Sequence, residues 1–106
     1  MAHYLFRAHY TQAGLQGVLK EGAVSRQAVI DGLLQSVGGR MEAMYWSFGD
    51  EDVIVLAELP GNAAAAALST RISASGAAGV STTVLLTASE VDEARGIGVA
   101  YRPPGA

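Results

Sequence analysis

The chain has 106 residues, half of them hydrophobic and only 16% charged, with a formal net charge of −3 and no cysteine. That length holds one domain. Seven scattered Lys and Arg residues leave no basic stripe for nucleic acid, and the lack of thiols excludes disulfides, thiolate metal sites and cysteine nucleophiles. A charged share well below the usual ~25% points to surface hidden in an oligomer.

Residues 3–9, HYLFRAH, alternate Tyr4, Phe6 and Ala8 with His3, Leu5, Arg7 and His9, the period of a strand. Thr11 is placed to cap a helix carrying Leu15, Val18 and Leu19, which Glu21-Gly22 interrupts. Ser25 is placed to cap a second helical segment, with Val29, Leu33 and Val37 four residues apart, and Gly38-Gly39 ends it. Residues 40–48, RMEAMYWSF, and 51–58, EDVIVLAE, read as two strands of a hairpin turning at Gly49-Asp50. Pro60-Gly61 stops the second strand, and Asn62 is expected to cap an Ala-rich helix over 63–75 with Leu68 and Ile72 on its apolar stripe. Residues 79–88 predict the last strand, and Ser89 with Asp92 resembles a capping box for a short helix ending at Gly96. Pro103-Pro104 makes the tail, 98–106, irregular, outside a domain expected to span 1–97. No apolar window approaches the ~20 residues of a membrane span. The opening MAHYLFRAHY lacks the basic and apolar regions of an export signal, so the expected location is the cytoplasm.

The order strand, helix, strand, strand, helix, strand, with right-handed crossovers, predicts an α+β fold. It is a ferredoxin-like βαββαβ sandwich, a four-stranded antiparallel sheet with helices on one face. The bare face needs a cover, and a second copy of the chain is the economical one, giving a barrel across a homodimer.

Tyr4 with Tyr10-Thr11, Gly14-Leu15, Gly17, Gly38-Gly39, Tyr45-Trp46, Phe48-Gly49, Asp52, the Glu58–Pro60 turn and the closing Tyr101-Arg102-Pro103-Pro104-Gly105 together resemble the GYD domain family. The resemblance implies a small ferredoxin-like protein of the dimeric α/β-barrel type. Relatives of that barrel include cofactor-free monooxygenases, muconolactone isomerases and haem-binding chlorite dismutase-like proteins, among which fold alone does not choose. The family's Gly-Tyr-Asp is met here by Gly49 and Asp52, with Glu51 where the tyrosine would stand.

Alternation in 51–58 puts Val53, Val55 and Ala57 under the helices and Asp52, Ile54, Leu56 and Glu58 on the open face, beside His3, Leu5, Arg7 and His9. Asp52 is then expected to look toward Arg7 and His9, with Glu58 closing the other end near His3. A His9–Asp52 pair in a partly apolar cavity is a proton-transfer site in principle. Arg7, Tyr45, Trp46 and Glu58 are the expected ligand contacts, Tyr45 by its hydroxyl and Trp46 as an aromatic wall. The plainer reading makes the acid–base pairs structural and the aromatics core or interface anchors. His3 and His9 with Asp52 and Glu58 converge too loosely for a metal, and no cofactor is expected. The reading is a homodimer that binds a small metabolite on the open face, with a cofactor-independent monooxygenase or isomerase as the alternative.

Overall fold

A computed structural model describes residues 1–106. Strand β1 (Ala2–Tyr10) leads into helices α1 (Gln12–Glu21) and α2 (Ala23–Ser36). Strands β2 (Arg40–Trp46) and β3 (Val53–Leu59), helix α3 (Asn62–Ala74), strand β4 (Ala78–Leu85) and helix α4 (Ala88–Arg95) follow. The strands form one antiparallel sheet in the order β2-β3-β1-β4, with α1–α3 on one face, the expected ferredoxin-like arrangement.

Alternation fixes which side chains meet the helices. Tyr4, Phe6 and Tyr10 of β1 and Val53, Val55, Ala57 and Leu59 of β3 are buried with Leu34 of α2 and Ala65 and Leu68 of α3. The Tyr4 hydroxyl crosses this core to donate to Asn62 Oδ1 at 2.6 Å. Asn62 is therefore the first residue of α3 and an exposed acceptor for the Tyr4 hydroxyl, while Gly61 holds the cap position assigned to Asn62 from the sequence.

Several local expectations shift by a few residues. Thr11 caps α1, its Oγ1 accepting from Gly14 N–H at 3.1 Å and donating to Gly76 C=O at 2.8 Å. A Cβ on Gly14 would lie 2.0 Å from the carbonyl oxygen of Ala77, so only glycine allows α1 to close on the start of β4. Gly22 (φ 93°) both ends α1 and starts α2, so Ser25 is no cap and donates to Glu21 instead. The hairpin turn is longer than Gly49-Asp50: Ser47 N–H bonds the Asp52 carbonyl, and β3 begins only at Val53. Inside that turn Phe48 holds a left-handed φ of 53°, which costs roughly 1–2 kcal/mol for a non-glycine residue. Its ring stacks on Trp46 at 5.8 Å, which offsets part of that cost. Strand β4 ends at Leu85, so the helix after it starts earlier than expected, and the capping box is Thr87 with Glu90 rather than Ser89 with Asp92.

Helix α4 and the tail stand away from this body. Every residue from Leu86 to Ala106 is exposed, and the molecule measures 57 × 33 × 22 Å. Its radius of gyration is 16.9 Å, against roughly 13 Å for a compact domain of about this length.

Candidate functional site on the open sheet face

The face away from the helices carries an apolar middle, Leu5, Ile54 and Leu56, all half-buried, and an ionic group at each end. At one end the Nδ1 of His9 lies 3.5 Å from Asp52 Oδ2. The same oxygen accepts the backbone N–H of Tyr10 at 2.8 Å. Asp52 also donates its own N–H to Ala8 C=O at 2.9 Å and accepts from Ser47 N–H at 3.0 Å. Asp52 is thus buried as a peg joining the β2–β3 turn to the end of β1, and its carboxylate continues the ladder one step past Val53. The His9 ring beside it is 65% exposed. Arg7 makes no ion pair with Asp52; its Nη1 reaches across to Thr83 Oγ1 of β4 at 3.5 Å.

At the other end His3 bridges two carboxylates, with Nδ1 2.6 Å from Glu42 Oε1 and Nε2 3.6 Å from Glu58 Oε1. Arg40 Nη2 pairs with the second oxygen of Glu58 at 2.5 Å. The His3–Glu58 proximity follows the expected register, since the two residues are directly paired. Glu42 and Arg40 were missed. Arg40 and Glu42 alternate in RMEAMYW, and Arg40 lies opposite Glu58 in the hairpin, so their period and that pairing were the available signal. The register shift between Met41 and Ala43 leaves Glu42 without an opposite residue, which frees it to reach His3. His3, Glu42 and Glu58 each bring a possible ligand atom to within 4.8 Å of the others. Both ring nitrogens already face carboxylates and Arg40 already neutralises Glu58, so a divalent cation would have to displace existing partners.

Tyr45 and Trp46 are neighbours in β2 and therefore point to opposite faces. Tyr45 is exposed opposite Ile54 on the open face. Trp46 sits opposite Val53 on the helix side, stacked on Tyr10 at 6.0 Å, so it walls no space shared with Tyr45. The structure brings together His9 with Asp52 and His3 with Glu58, and leaves Arg7, Tyr45 and Trp46 apart from both pairs.

Three principal hollows mark the surface: one between α2, α3 and the sheet, one beside α1 and the turn into β4, and one along the α2–β2 edge. None is lined by Arg7, His9, Tyr45, Asp52 or Glu58. In a single chain the open face is a surface rather than a cavity.

The GYD domain model matches residues 4–94, nearly the whole of the sheet, its helices and α4. The chain belongs to the GYD domain family. No curated protein and no solved structure matched it. Within this GYD domain Asp52 is the ladder peg described above. Glu51 beside it contributes its carbonyl to the turn, accepting from Ser47 Oγ and Gly49 N–H. Tyr101 and Arg102 fall beyond the matched residues, and no helix of the chain is long and apolar enough to cross a membrane.

Proposed function

We infer that this GYD-domain protein is a homodimer whose two open sheet faces meet as an α/β barrel and enclose a small metabolite. The observation that carries this reading is the uncovered face itself. Helices seal one side of the sheet, while Leu5, Ile54, Leu56 and the exposed Tyr45 stand on the other with nothing over them. Only 12 of the 106 residues are buried, so a lone chain hides little apolar surface for its half-hydrophobic composition. A second copy would cover the apolar strip and turn the flat face into an enclosed space with ionic groups at its ends. The His3–Glu42–Glu58–Arg40 group and the His9–Asp52 pair would then border the bound molecule.

Native mass spectrometry of the untagged protein tests this directly. A dimer, or a multiple of it, carrying an additional small mass is the expected result. A monomer at micromolar concentration overturns the shared barrel.

The His9–Asp52 pair favours a second reading, a cofactor-independent monooxygenase or isomerase. Asp52 is held rigidly by backbone contacts and His9 keeps an exposed ring, the division of labour between an orienting acid and a proton-transferring base. On this reading His9→Ala abolishes turnover while dimer and fold persist. A variant that retains turnover refutes it.

A further inference from the structure

On the helix side of the sheet, α2 and α3 pack on strands rather than on each other. The gap between them is a partly enclosed hollow of about 50 Å³ above Phe6 and Val55, walled by Ile30, Leu33, Leu68 and Ile72. Of its 13 lining residues 12 are hydrophobic, and the exception is Arg26. Arg26 forms no ion pair within 4.0 Å, and its Nε is buried without a hydrogen-bond partner, the one such side-chain atom in the molecule.

A permanently charged donor beside apolar walls demands an acceptor. Water is a poor one, because a buried water needs two to four polar partners and the only polar side-chain groups lining this hollow are the Arg26 guanidinium and the Tyr10 phenol. Arg26 also lines the polar groove next to α1, where the single acid, Glu21, is engaged by Ser25 Oγ at 3.1 Å. A ligand head at Arg26 therefore meets one guanidinium with a carboxylate nearby, which suits a single negative charge and disfavours a doubly charged phosphate.

We propose that this hollow binds a short-chain aliphatic monocarboxylate, its alkyl end among Ile30, Leu33, Leu68 and Ile72 and its carboxylate on the Nε–H of Arg26. The hollow is small, about 50 Å³, which favours a short alkyl end. The site lies across the sheet from the open face, so it stands or falls independently of the dimer barrel.

Methyl NMR of the full chain titrated with sodium hexanoate tests the site, with acetate, decanoate and hexan-1-ol as comparators. Hexanoate is expected to give saturable shifts at Ile30, Leu33, Leu68 and Ile72. Acetate should bind more weakly, decanoate no more tightly, and the uncharged hexanol about tenfold or more weaker, the scale of a lost charged hydrogen bond. Arg26→Gln should abolish hexanoate binding while the amide spectrum stays folded. Equal binding of hexanol and hexanoate, undiminished binding by Arg26→Gln, shifts confined to Leu5, Ile54 and Leu56, or no saturable shift with hexanoate would each overturn the proposal. If Arg26→Gln does not fold, the hexanol comparison in the unaltered protein decides.

Discussion

At the scale of single residues, Asp52 and His9 separate cleanly although they touch. Asp52 is buried and holds the Tyr10 amide, so Asp52→Ala leaves a buried N–H without an acceptor. The expected cost is about 1–3 kcal/mol in urea unfolding, with Asp52→Asn losing less because its amide oxygen still accepts. His9 is largely exposed and makes only a 3.5 Å contact, so His9→Ala should change stability by no more than about 0.5 kcal/mol. A large loss of stability in His9→Ala would make the imidazole a structural partner and remove it as a candidate base. The closeness of His9 and Asp52 followed from alternation and the expected strand pairing. The real partner of Asp52 did not, because the contact with Tyr10 depends on how β1 and the hairpin turn align across 42 positions. Arg26 was invisible for the same kind of reason. That a buried donor has no partner is a property of everything around it, and no spacing in the sequence encodes it.

Among the elements, α4 offers the cleanest test because it makes so little contact with the rest. Its first turn is closed by Thr87 Oγ1 accepting from Glu90 N–H and by Glu90 returning to the Thr87 amide. Hydrogen bonds from the Thr87 backbone and side chain hold the Glu90 carboxyl below its ordinary range. A depressed carboxyl contributes helix stability that is present above the unfolded value and is lost as pH falls through the folded one. The α4 amide shifts should therefore move toward coil on acidification. Thr87→Ala should cost about 1 kcal/mol of local helix stability, read as faster amide exchange confined to α4, with the global unfolding midpoint unchanged. A drop in that midpoint would mean that α4 is packed in solution. The element order, and most element ends to within a few residues, followed from periodicity. Caps and turns drifted where competing signals stood side by side, as with Thr87 against Ser89 and Gly22 against Ser25.

For the whole molecule, the decisive property is the uncovered face. Leu56→Glu places a charge in its apolar middle without touching the helix-side core, since Leu56 points away from Val55 and Ala57. The circular dichroism of the variant should match that of the unaltered chain, while light scattering after size exclusion should report half the mass. A variant that keeps the parent mass would mean that this face is not where copies meet. The ferredoxin-like plan was legible because it needs only element order and handedness. The two proposed ligand spaces were not, because the one on the open face would need a second chain, and the hollow on the helix side arises from how far α2 and α3 stand apart.

Strand order has a further consequence for synthesis. Strand β1, the first to leave the ribosome, lies between β3 and β4, which are made much later. Until residue 85 has emerged, the side of β1 destined for β4 remains an unpaired edge flanked by Tyr4, Phe6 and Tyr10. Closing that edge is a long-range step that folds slowly and leaves nascent chains open to sticking together. Truncations that stop before β4 should thus accumulate as insoluble material, even though they retain most of the residues that form the core.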